Sequence, residues 1–134
     1  DFMNEAAKRT GCGILLDINN IEVSATNLGL DPGDMVDAIE PAMVCEVHLA
    51  GHAVEDHDSG PLLIDDHGSP VTQTTWRLFE RFIRRAGPRP ALVEWDTDIP
   101  AFDVLMAEAA KADAIMQAAS PPPERHEGMT DEPA

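Results

Sequence analysis

Basic residues are scarce in this 134-residue chain: nine Lys and Arg stand against 25 Asp and Glu, giving a formal net charge of −16. A surface so charged repels phosphate backbones and anionic lipid, which argues against nucleic acid or a membrane as partner. Long apolar runs are missing too, and none approaches the roughly 20 residues that a membrane-spanning helix needs. The first residues, Asp1-Phe2-Met3-Asn4-Glu5, hold neither the basic stretch nor the apolar core of a secretory signal, so a cytoplasmic protein is expected. Cysteine is limited to Cys12 and Cys45, both in apolar, strand-like surroundings. Two such thiols do not make the disulfide framework of a small secreted domain, and buried free thiols are expected. A phosphate loop, G-x-G-x-x-G, G-x-S-x-G and C-x-x-C are all absent, which removes support for nucleotide, α/β-hydrolase and thioredoxin-type readings.

What is present is an alternation of helical and strand patterns. Residues 2–9 suit a short amphipathic helix stopped by Thr10-Gly11-Cys12-Gly13. Ile14-Leu15-Leu16-Asp17-Ile18 is a short apolar run containing one acid, as expected of a parallel strand buried on both faces with its carboxyl end at a site. Asn19-Asn20 is expected to turn the chain. Asp31-Pro32-Gly33-Asp34 supplies a capping side chain, a first-turn proline and an acid ahead of Met35, Val36 and Ile39, which marks a helix start. Met43 to Leu49 reads as a second strand. Residues 53–68 are rich in Asp, His and Gly, a long connection in which Leu62-Leu63-Ile64 is either a short strand or a packed loop. From Thr74, the residues Trp76, Phe79, Phe82 and Ile83 recur at helical spacing up to Gly87-Pro88. Ala91-Leu92-Val93-Glu94 is a third strand, again ending in an acid. A last helix is expected over 101–119, with Val104, Leu105, Ala109, Ala112, Ile115 and Met116 inward. Met35, Met43, Met106 and Met116 read as core filling. Residues 120–134 lack an apolar period and read as a disordered, Pro-rich acidic tail. Such alternation implies parallel strands with right-handed crossovers. The expected fold is α/β, with parallel strands alternating with helices in three to four βα units over residues 1–119; if the pattern is barrel-like, it is only part of a (β/α)₈ barrel, because a whole one needs about 250 residues.

Four of the five histidines, His48, His52, His57 and His67, fall close together among Asp56, Asp58, Asp65 and Asp66. Imidazole and carboxylate together suit Fe, Mn or Zn. Asp17, His48 and Glu94 each sit at or beside the carboxyl end of a different expected strand, where parallel α/β folds place ligands and catalytic groups. Structural roles stay open for each: Asp17 or Glu94 could cap a helix, and His48 could be a satisfied core histidine. Asp65 and His67 would face the same way if their segment is extended. His52 would join them only if Ala50-Gly51 turns tightly, while His57 and His126 carry no signal beyond composition.

These residues resemble a known family. Gly13-Ile14-Leu15-Leu16-Asp17-Ile18-Asn19-Asn20, His48-Leu49-Ala50-Gly51-His52, Leu63-Ile64-Asp65-Asp66-His67 with Pro70-Val71, and Glu94 with Asp98-Ile99-Pro100 occur in the order and spacing of the multinuclear non-heme iron-dependent oxidases. The resemblance covers about residues 2–118. It implies a TIM-barrel protein that holds two or three iron ions at the carboxyl ends of its strands. It also implies an enzyme that uses dioxygen to remodel cysteine or other residues of ribosomally made peptides, as in methanobactin biosynthesis, with a partner protein that presents the precursor peptide. Carried over residue by residue, Asp17, His48, Asp65, His67 and Glu94 resemble metal ligands, and Asn19 and His52 resemble ligands or groups that position them. The family has further His and Glu ligands on earlier strands, so this chain is expected to begin near the middle of such a barrel. Trp95 after Glu94 and Gly68-Ser69 before Pro70 depart from the family pattern without removing a ligand.

Two other readings start from the same residues. One is a non-catalytic remnant that binds a metal or a partner; the other is a divalent-metal isomerase or hydrolase of the xylose-isomerase-like barrel type, taking Mg, Mn or Zn. In every case a piece of barrel leaves sheet edges and an inner face open, and self-association or a chain supplying the N-terminal half is expected to cover them. If His48, Asp65, His67 and Glu94 converge on one ion, their ligand atoms should gather within roughly 5 Å, since metal bonds to N and O are about 2 Å long.

Overall fold

The computed structural model describes residues 2–119, and the expected tail over 120–134, with His126, lies outside them. The elements in chain order are α1 (Phe2–Thr10), β1 (Ile14–Asp17), α2 (Ile18–Leu28), α3 (Pro32–Asp37), a 3₁₀ turn (Pro41–Met43), β2 (Val44–Leu49), β3 (Ala53–His57), β4 (Gly60–Ile64), α4 (Gln73–Ala86), β5 (Ala91–Val93) and α5 (Phe102–Ala119). The parallel sheet has the order β1-β2-β5, and β3 and β4 form a separate antiparallel hairpin. This is a mixed α/β fold with three parallel strands in chain order, each returned by helix, consistent with part of a barrel.

Strand alternation divides the sheet into two unlike faces. Ile14, Leu16, Val44, Val47 and Leu49 are buried together with Phe79, Phe82 and Ile83 of α4 and Val36 of α3. Register places Leu15 beside Glu46, Asp17 beside His48, and His48 beside Leu92, all on the opposite face. There Leu15 and Leu92 are 52% and 46% exposed. The expectation that β1 is buried on both faces is therefore wrong, because among the described residues helices cover only one side.

Local chemistry accounts for the helix ends. Asp31 caps α3 by accepting from the Asp34 N–H, with Pro32 in the first turn as expected. Thr72 caps α4, which begins at Gln73, one residue before the expected Thr74. The unexpected element is α2. Asp17 ends β1 and at once caps the next helix, accepting from the Asn20 N–H at 2.9 Å, so Asn19-Asn20 begins a helix where a turn was expected. Glu22 of α2 is buried but satisfied by the Thr72 and Thr75 hydroxyls, each at 2.6 Å, which ties α2 to the start of α4. Glu108 of α5 is likewise buried, accepting from the Val71 N–H and from Lys111.

Two further expectations fail. Cys12 and Cys45 are free but exposed; Cys12 lies in the link before β1, and Cys45 is the residue skipped where the β1–β2 register shifts, so neither side chain enters the helix-covered core. Met106 and Val104 are 51% and 41% exposed, because α5 buries only a narrow stripe through Glu108 and Ala112, with Ile115 and Met116 half-buried. In the stretch from residue 53, Leu62-Leu63-Ile64 is the short strand that the sequence left open, as part of β4, while its antiparallel partner β3 was not anticipated.

Arg81 and Arg85 both reach Asp37, at 2.7 and 3.1 Å, and join α3 to α4. The Arg81 hydrogen bond holds the Asp37 carboxyl below its ordinary value of 3.8. A lowered folded-state pKa contributes stability that is full above the unfolded value and lost as pH falls through the folded one. The melting temperature of the parent chain should therefore exceed that of Asp37→Asn at neutral pH, with the gap closing only below about pH 4. A gap independent of pH in thermal melts would contradict this.

Candidate metal centre

The residues at the carboxyl ends of the strands meet on the open face. Asp17 ends β1, His48 is the penultimate residue of β2, and Glu94 directly follows β5, with its N–H donating to the Leu49 carbonyl at 2.8 Å. Asp65 and His67 arrive from the link after β4. The extended segment that would have aligned them by alternation is not formed, since β4 stops at Ile64 and His67 takes a left-handed backbone with φ of 50°. The His67 carbonyl accepts from the Asp96 N–H at 2.9 Å, which holds that turn against the end of β5.

One set of ligand atoms, from Asp17, Asp65 and His67, lies within 4.8 Å of one another. His48 and Glu94 extend it in a line rather than joining one four-residue cluster. Glu94 stands between two imidazoles, 3.0 Å from His48 Nδ1 and 3.4 Å from His67 Nδ1, while His67 Nε2 is 3.0 Å from Asp65 Oδ1. Three neighbours extend this network beyond the residues singled out from sequence. Glu46 is 3.0 Å from His48 Nε2, Asp96 is 3.2 Å from His67 Nδ1, and Asn20 donates to Asp65 Oδ2 at 3.1 Å. Glu46 was legible, since it stands two residues from His48 on one strand and must share its face. Asp96 was not, because only the His67 turn brings it near.

Asn19 is fully buried and holds the arrangement together. Its amide nitrogen donates to Asp65 Oδ1 and to the Gly51 carbonyl, and its oxygen faces His52 Nδ1 at 2.8 Å. His52 thus reaches the site through Asn19, by the tight turn that its spacing from His48 required. Gly51 makes that turn possible: a Cβ there would collide with the Ser69 and Pro70 backbone. His57 sits on the hairpin, half-exposed and 3.4 Å from Glu55, away from the centre. Trp95 carries a buried indole N–H without a hydrogen-bond partner, next in sequence to Glu94.

Carboxylates outnumber cationic groups here. Burial pushes the Asp17 carboxyl above its ordinary 3.8, and Asp65 and Glu94 push it the same way against the Asn20 N–H and the His67 ring. Burial disfavours the charged His67 ring, yet Asp65, Glu94, Asp96 and Asp17 outweigh it and raise its pKa above 6.5. Both shifts favour holding a proton where negative charge is crowded, and a cation would meet the same demand. Two carboxylates and an imidazole suit Fe, Mn or Zn, and their present separation is close to what bonds of about 2 Å require.

The model of the family described as RiPP precursor modification enzyme MbnB/TglH/ChrH matches residues 1–117. The chain belongs to this family. The family modifies precursors of ribosomally synthesised peptides, in agreement with the motif resemblance. The chain is 50% identical over 116 residues to a UPF0276 protein of Caulobacter sp. (strain K31), covering 87% of this chain and 42% of that protein. It is 51% identical over 115 residues to the UPF0276 protein AM1_3026 of Acaryochloris marina, covering 86% and 40%. It is 43% identical over 122 residues to the UPF0276 protein VP3015 of Vibrio parahaemolyticus, covering 91% and 42%. The chain thus spans about two fifths of the length of these relatives. Among the described residues no helix is long and apolar enough to cross a membrane.

The hydrogen bonds of Asn19 dictate a tautomer. Its amide nitrogen is committed to two acceptors, so its oxygen accepts, and neutral His52 must carry its proton on Nδ1. Nitrogen-15 NMR of the imidazoles should show the Nδ1–H form of His52, and Asn19→Ala should release it toward the Nε2–H form. An Nε2–H tautomer in the parent chain would refute this orientation of Asn19.

Proposed function

We propose that the chain is the C-terminal part of an iron-dependent oxidase that modifies residues, cysteine foremost, of ribosomally synthesised peptides with dioxygen. The observation that carries the reading is the convergence of Asp17, Asp65 and His67, with Glu94 and His48 beside them, in a chain of a peptide-modifying family. In this reading Asp17, His48, Asp65, His67 and Glu94 hold the metal, and Asn19 and His52 act as ligands or position them. Iron, two or three ions in the whole site, supplies one-electron chemistry toward dioxygen; Mn and Zn fit the same donors less specifically. The chain's own residues do the rest. Asn19 and Asn20 orient the two oxygens of Asp65, Glu46 holds the His48 ring, and the exposed Leu15 and Leu92 offer an apolar wall beside the centre. The open face also supports a second chain at this site, whether another copy, a chain bearing further ligands, or a protein presenting the precursor peptide.

Anaerobically purified chain should bind Fe(II), with charge-transfer and Mössbauer signatures of O/N ligation. Asp65→Ala should weaken binding by more than Asn19→Ala, for which a loss of about 10- to 100-fold is expected if Asn19 only positions Asp65. Oxygen uptake with a cysteine-containing peptide, in the presence of a chain that completes the site, supports the oxidase. Tight binding of Mn or Zn with no oxygen uptake would favour the isomerase or hydrolase reading, and no metal binding even then would leave a remnant.

A further inference from the structure

The two outer edges of the β3–β4 hairpin are finished differently. On the β4 side, Asn27 of α2 grips Leu63 by both backbone groups, its amide donating to the Leu63 carbonyl and its oxygen accepting from the Leu63 N–H, each at 2.9 Å. Leu63 therefore turns its backbone groups away from β3, and its partner Val54 turns its own away from β4. Two residues along, the pair Asp56 and Pro61 repeats that orientation, and Pro61 has no N–H to present. The β4 edge is thus closed by a side-chain clamp and a proline. The β3 edge has neither: the outward N–H and C=O groups of Val54 and Asp56 are bonded to nothing among the described residues, and Val54 is 58% exposed.

An unprotected strand edge is a template for another extended segment. Its charge selects the occupant. Glu55 and Asp56 on β3 and Asp58 in the turn are exposed, and only Glu55 has an ion-pair partner among the described residues, His57. A second copy of this chain would bring the same acids against them in a chain already at −16, so edge-to-edge dimerisation is disfavoured. The hairpin base also leads to the metal centre: the pair Ala53 and Ile64 is flanked in sequence by His52 and Asp65. We propose that the outer edge of β3 adds an extended peptide segment bearing Lys or Arg as a third strand, held by the backbone of Val54 and Asp56, with one end directed to the residues around Asn19. The inference rests on the peptide-modifying reading for its substrate class and on the edge itself for its geometry.

The test uses the full chain and a fluorescent peptide of alternating Lys and Thr, with an alternating Glu and Thr peptide and a backbone N-methylated Lys–Thr peptide as controls. The Lys–Thr peptide alone should bind, more weakly as salt rises, and should slow amide exchange at Val54 and Asp56. Val54→Pro should reduce binding about tenfold or more, since it removes an outward backbone hydrogen bond and obstructs the incoming strand. Continued protection of the Glu55 and Leu62 amides, which face each other inside the ladder, shows that this variant keeps its hairpin. Equal binding by Val54→Pro or by the N-methylated peptide would overturn the proposal in favour of charge attraction alone. Concentration-dependent protection of Val54 and Asp56 without peptide would overturn it in favour of a second copy. Fe(II) uptake measured on the same samples separates the two readings: retained iron without peptide binding removes this inference alone, and retained peptide binding without iron removes the metal reading alone.

Discussion

The buried carboxamide of Asn19 is the constraint on which the site depends. A polar group withdrawn from water must find its partners in the protein, and Asn19 finds all of them in segments far away in sequence: the Gly51 carbonyl, His52 and Asp65. Satisfying one amide therefore fixes the exit of β2, the start of α2 and the chain after the hairpin relative to one another. Asp17 adds to this by ending β1 and capping α2 with the same carboxylate. Its position is set by backbone geometry on both sides, so it is held at the centre before any cation is considered.

Two groups of acids differ in what answers them, and the difference separates scaffold from site. Glu22 and Glu108 are more deeply buried than any carboxylate of the centre, yet hydroxyls answer Glu22, and a backbone N–H and Lys111 answer Glu108. They join α2 and α5 to the segment that opens α4. Asp17, Asp65 and Glu94 are answered largely by imidazoles and by the amides of Asn19 and Asn20, with no Lys or Arg among their ion pairs. Burial, with Asp65 and Glu94 nearby, holds the Asp17 carboxyl above its ordinary value, and a cation would answer the same crowding. The sheet places them opposite the helix-covered core, on the face where Leu15 and Leu92 stay exposed, so packing and chemistry divide the same three strands between them.

The hairpin is tied down next to the centre and left exposed along its outer strand. Its base is fixed by Asn27 and by the network around Asn19, whereas the side chains of β3 from Val54 to His57 are exposed. The proposed strand addition at this edge would leave the side chains around Asn19 where they are.

The parallel strands, the α3 and α4 helices and the acids at strand ends were legible in the sequence because each rests on local signals: apolar runs of strand length, Asp31-Pro32, and the helical period from Trp76 to Ile83. Asp17, His48 and Glu94 were singled out for position alone, and the register does set Asp17 beside His48 on one face. Helix α2 was hidden because the residue that ends β1 also begins it, leaving no punctuation between them. The β3 half of the hairpin was hidden by its Asp and His content, and the exposure of Cys45 by a register shift that composition does not reveal. Which side chains touch was decided only by tertiary structure. His67 meets Asp65 through a left-handed residue, Asp96 follows that turn, and Asn19 reaches His52 and Asp65 across 33 and 46 positions. Local patterns determine which elements form and which residues share a face, whereas contacts between segments depend on the hydrogen bonds that buried groups must complete once those elements pack.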